Sequence, residues 1–145
     1  MILLIVCLAL IATNAKEPSI DQIWLGHRSH DPGKLVVNWI SKEPGESIVR
    51  FGRTDEYGQE VRIANDTTLH HVEIPLVETG GVYHYSVHTG NQSSKGFTFK
   101  AYPKDVLRVA VVADWQGLPD LSAIKKDDVH LLLTAGDNVK NIHQL

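Results

Sequence analysis

Residues 35–39 read Leu35-Val36-Val37-Asn38-Trp39, and residues 83–88 read Tyr83-His84-Tyr85-Ser86-Val87-His88. Successive side chains of a strand point to opposite faces, so Leu35, Val37 and Trp39 share one face. Tyr83, Tyr85 and Val87 likewise face one way, and His84, Ser86 and His88 the other. An apolar row backed by a polar row marks a strand with one buried side. Trp39 is expected to be the pillar of a core without disulfides. The tyrosine row is expected to face inward, with one hydroxyl satisfied by backbone at a corner.

Outward from these two stretches, the pattern from Ser19 to Tyr102 is β throughout. Strands are expected near Ile20–Gly26, Lys34–Ser41, Ser47–Gly52, Gln59–Ile63, Thr68–Leu76, Gly81–Thr89 and Gly96–Ala101. Turn residues separate them: Asp31-Pro32-Gly33, Glu43-Pro44-Gly45 and Thr89-Gly90-Asn91. Seven short strands at this spacing indicate an all-β immunoglobulin-like sandwich. With the early tryptophan and the tyrosine row, residues 16–102 resemble a fibronectin type III module.

Ile2 to Ala12 form an unbroken apolar run followed by Thr13-Asn14-Ala15 and Lys16. The run is shorter than the roughly 20 residues a membrane-spanning helix needs. It has the pattern of a signal peptide at residues 1–15, cleaved after Ala15, although no Lys or Arg precedes the run. The alternative is a buried N-terminal strand. Export, to the outside or a periplasm, is the expectation, with no stable membrane insertion once the signal is cut. Cys7 is the one cysteine, so a mature chain would have no disulfide. Fourteen Lys and Arg stand against 17 Asp and Glu, a net charge of −3 over 145 residues. That mild acidic balance gives no reason to expect nucleic acid or an anionic membrane as a partner.

The pattern changes after Tyr102-Pro103. Val106 to Ala113 and Val129 to Ala135 are nearly continuous apolar runs, as in strands buried on both faces of a parallel sheet. Leu118 to Lys126 can form the short helix between them, completing one βαβ unit. Such a unit cannot bury its own faces, so residues 105–145 are expected to open a domain that they do not complete.

Each of these strands ends in an aspartate: Ala113-Asp114-Trp115-Gln116-Gly117 and Ala135-Gly136-Asp137-Asn138. In a right-handed unit with adjacent strands, the two carboxyl ends lie about 4.8 Å apart. Two carboxylates that close repel one another unless a proton or cations intervene. Hard metal ions, with one Asp bridging two of them, resolve the conflict. The alternative is that both residues cap helices or solvate loops, a common place for aspartate.

VVADWQG (111–117) and LLLTAGDN (131–138) resemble the first two metal-binding blocks of purple acid phosphatases, within the calcineurin-like metallophosphoesterases. SIVRFG (47–52) and LHHVEIPL (69–76) resemble strands of the sandwich that precedes the catalytic domain in that family. The resemblance implies a sandwich followed by the first βαβ unit of an α/β metallophosphoesterase domain. It also implies hydrolysis of small-molecule phosphate monoesters at two metal ions, iron and/or zinc or manganese. Asp114 would ligate one ion and Asp137 bridge both, with Asn138, Trp115 and His143 near the pocket. Two positions depart from the pattern. Lys140 stands where purple members have a metal-binding tyrosine, and Gln116 where related phosphoesterases have a histidine. These departures leave a rival reading: a non-catalytic exported binding module with a vestigial phosphoesterase portion.

Overall fold

A computed structural model describes residues 20–28, 30–114 and 120–136. The proposed signal segment, residues 1–15, lies outside the described residues. The structure is mostly β. Six strands form one sheet: β1 (Ile20–His27), β2 (Lys34–Gly52), β3 (Gln59–Pro75), β4 (Val82–Thr89), β5 (Gln92–Ser93) and β6 (Phe97–Lys100). Beyond it, β7 (Val109–Val112), α1 (Ser122–Lys126) and β8 (Leu131–Thr134) form a parallel strand pair with an intervening helix.

The Glu43-Pro44-Gly45 segment does not end a strand, contrary to the turn expected from its composition. Residues 34–52 are one strand, and β3 likewise merges two expected strands. The β2–β3 register shifts on either side of Gly45. Pro44 falls in the unpaired stretch between the pairs Ile40–Leu69 and Gly45–Thr67, where its missing N–H costs no ladder bond. The first half of β2 pairs with β1, and its second half with β4, while β3 follows it throughout. Trp39, on the first half, donates its indole N–H to Thr89 Oγ1 of β4 at 2.9 Å. Since β4 pairs only with the second half, the sheet has folded over on itself at the bulge and encloses its own core.

That core holds the residues the alternation placed there. Leu35, Val37, Trp39, Tyr83 and Val87 are buried, as are Val49, Phe51, Val72 and Ile74. The expected tyrosine corner is Tyr83, whose hydroxyl accepts from Glu78 N (3.0 Å) and lies 3.2 Å from Glu78 O, to which it donates. Ser86 is also buried, and His84 and His88 are half-buried rather than fully outward.

A buried polar cluster crosses this core. The His70 ring is fully buried and stacks on Trp39 with centroids 4.6 Å apart. Its Nδ1 meets Ser47 Oγ at 2.7 Å, and its Nε2 meets Ser41 Oγ at 2.8 Å and Thr89 Oγ1 at 3.3 Å. Ser47 Oγ donates onward to Asn65 Oδ1 (2.8 Å), and Ser41 Oγ donates to Glu43 O (2.7 Å). The hydroxyl groups satisfy the ring but bring no counter-charge. Burial accordingly holds the imidazole below the usual histidine value. The residues tied together come from both halves of β2, from β3 and from the end of β4, where the sheet folds over.

Candidate functional site

The pairing of β7 with β8 sets the site. Val109–Leu131, Ala110–Leu132, Val111–Leu133 and Val112–Thr134 are partners, so both strands run out at the same level. Ala135 N then donates to Val112 O (2.8 Å), and Asp114 N donates to Gly136 O (3.2 Å). The two strand ends are therefore laced together by backbone, with Asp114 beside the residue that precedes Asp137. Asp114 has a left-handed backbone (φ 58°) and Gly136 a φ of 113°. Aspartate tolerates that region better than most residues. Gly136 has no atoms within 4 Å of where a side chain would begin, so its need is the backbone angle rather than space.

Asp114 is exposed. Asp137, Asn138, Trp115 and His143 lie outside the described residues, as do Gln116 and Lys140. Among the described residues, no group of three or more His, Cys, Asp or Glu side chains converges as a metal site. Asp114 has the donor chemistry of one ligand to a hard cation. The described donors do not complete such a set.

At the opposite end of the pair, about 20 Å from Asp114 at strand rise, β8 is tied to the folded sheet. Lys100 of β6 pairs with Asp128, and its ammonium also reaches Val129 O at 3.4 Å. Arg108 lies 3.5 Å from the other Asp128 oxygen, and Arg108 N donates to His130 Nδ1 at 3.2 Å. The Lys100 hydrogen bond, then its charge, holds the Asp128 carboxyl below its usual range. A cavity of about 360 Å³ lined by Leu25, His27, Phe99, Lys100 and His130 sits at this end, away from Asp114. Sequence reading missed this anchor, because nothing in the spacing of Lys100, Arg108 and Asp128 brings them together before the strands are placed.

The apolar strands of the pair are open to solvent within this chain: Val111 is 67% and Leu133 48% exposed. They have the composition of strands covered on both faces, and α1, at five residues, buries none of its own side chains.

No family model matches the chain, and no curated protein matches it. Among solved structures, that of PhoD overlays it with a TM-score of 0.54 at 15% identity, covering 72% of this chain. The likeness is one of fold. The chain spans 25% of the PhoD chain. Among the described residues, no helix is long and apolar enough to cross a membrane.

Proposed function

We propose that the protein carrying this chain is an exported metal-dependent phosphatase. Residues 16–102 would form its fibronectin III-like sandwich and residues 105–145 the start of its purple-acid-phosphatase-like catalytic domain. The phosphoesterase-like fold shared with PhoD supports the architecture. The observation that supports the chemistry is the backbone bond from Asp114 to Gly136, which ties Asp114, at the carboxyl end of one parallel strand, to the end of the other. In this reading, Asp114 and Asp137 are oxygen ligands to two metal ions. Bound there, the ions would supply Lewis-acid activation of the phosphoryl group and of water.

The chain's own contribution is positioning. The left-handed turn at Asp114 ends β7 while its N–H stays engaged by Gly136, so the carboxylate is carried on a braced backbone rather than a free loop. Gly136 has a positive φ just past the end of β8. Gln116 and Lys140, at positions where relatives of this type carry ligands, favour the second reading, a binding module without turnover.

The test is hydrolysis of a generic aryl phosphate by the full-length protein, with metal content measured on the same samples. Asp114→Asn and Asp137→Asn should each lower bound metal and remove most activity. Undiminished turnover and metal content in either variant would refute the site. A folded wild type that hydrolyses no phosphate ester with any metal supplement would refute the phosphatase reading and favour the binding module.

A further inference from the structure

Asn65-Asp66-Thr67 has the form of an N-glycosylation acceptor, and its place in the fold is specific. Between the pairs Gly45–Thr67 and Ser47–Ile63, β3 carries Ala64, Asn65 and Asp66 against the single residue Glu46 of β2. The extra residues form a bulge, which lifts the backbone out of the ladder and leaves Asn65 at the surface. The bulge lies where the sheet folds over, outside the core rather than within it.

The orientation of the Asn65 amide is fixed by chemistry. Ser47 N–H can only donate, and it lies 3.1 Å from Asn65 Oδ1. Ser47 Oγ donates to the same oxygen at 2.8 Å. With Oδ1 turned to Ser47, Nδ2 is turned away from it. The two ends of one carboxamide are thus divided: the oxygen closes the polar cluster around His70, and the nitrogen is left for another bond. A sugar on Nδ2 would leave both hydrogen bonds to Oδ1 intact.

We propose that Asn65 is a glycan-bearing residue when the chain passes through a secretory compartment equipped for N-glycosylation. The donor class is a lipid-linked oligosaccharide diphosphate. Asn65 Nδ2 forms the bond to the anomeric carbon, and the bond from that carbon to the diphosphate oxygen breaks. The lipid diphosphate leaves, and one amide proton is lost to base. The amide oxygen keeps its place, so the modified residue still accepts from Ser47. This proposal is independent of the phosphatase reading.

The experiment secretes the full chain from a eukaryotic host behind the host's own leader, in an Asn91→Gln background. That background removes the second acceptor pattern, Asn91-Gln92-Ser93, at the exposed tip of the β4–β5 hairpin. Intact mass should show one oligosaccharide. Enzymatic release of the sugar should convert Asn65, identified in its own peptide, to aspartate. Thr67→Ala should abolish the modification and Thr67→Ser restore it. The glycosylated and Thr67→Ala proteins should show the same buried Trp39 fluorescence, because the Ser47–Asn65 bonds survive in both. Secreted, folded protein with Asn65 unmodified would overturn the proposal. A glycan at Asn65 that disrupted the Trp39 environment would overturn the orientation argument.

Discussion

Acid should destabilise this fold through His70 before it protonates the carboxylates. The ring is fully buried, stacked on Trp39 and surrounded by hydroxyl groups of Ser41, Ser47 and Thr89. Its pKa is lowered by burial, whereas in the unfolded chain a histidine titrates near about 6.5. Above that value neither state binds the proton, and His70 contributes no pH dependence. As pH falls below it, the unfolded chain gains a proton that the folded chain refuses. Stability is lost at up to about 1.4 kcal/mol per pH unit, until the folded pKa is reached. His27 and His88 are lowered as well, chiefly by burial, and add losses of the same sign. Comparison with His70→Gln isolates the contribution of His70. Urea unfolding of both proteins from about pH 7.5 to about pH 5 stays above the window in which Glu60, Glu73 and Asp128, held low by Arg or Lys partners, begin to protonate. The wild-type profile should be steeper by up to one proton's worth. Parallel profiles would refute a neutral buried ring. A wild type that gained stability on acidification relative to the variant would mean that the hydroxyl cluster holds an imidazolium.

Trp39→Ala removes the ring that stacks on His70 and bonds Thr89, and should cost about 3–5 kcal/mol, read from the urea midpoint. A midpoint equal to wild type would remove Trp39 from the centre of the core. Gly52→Ala places a methyl carbon 1.4 Å from Tyr57 O, so the turn must move. It should cost at least about 1–3 kcal/mol, whereas exposed Gly90→Ala, open in space but left-handed at φ 56°, should cost less. N-terminal sequencing of exported protein should begin at Lys16, and recovery of intact Met1 in a soluble cytosolic form would contradict export.

The alternation of Leu35, Val37 and Trp39, and of Tyr83, Tyr85 and Val87, was enough to place the core, because period-two patterning reports directly on which face is buried. The same parity held the position of His70. It lies in register with inward Val72 and Ile74, on the face opposite His71. Glu43-Pro44-Gly45 misled because proline and glycine serve a bulge as readily as a turn, and only the partner strand distinguishes the two. At the site, Asp114 and Gly136 were legible because each follows an apolar run. The anchor at the far end of those runs was not, since Lys100, Arg108 and Asp128 meet only through tertiary packing.

The long β2–β3 hairpin has a kinetic consequence. Its innermost pair is Phe51–Gln59 and its outermost Lys34–Pro75. Each step between them brings together residues only slightly further apart along the chain, so pairing can zip outward from the Thr54–Tyr57 turn with little loop closure at any stage. Because both arms continue through the bulge, that zipper delivers strands to both layers of the core before β1 or β6 has docked. The turn would then belong to the folding nucleus. Gly52→Ala, which obstructs it, should slow folding more than it hastens unfolding, whereas a substitution on β6 should do the reverse.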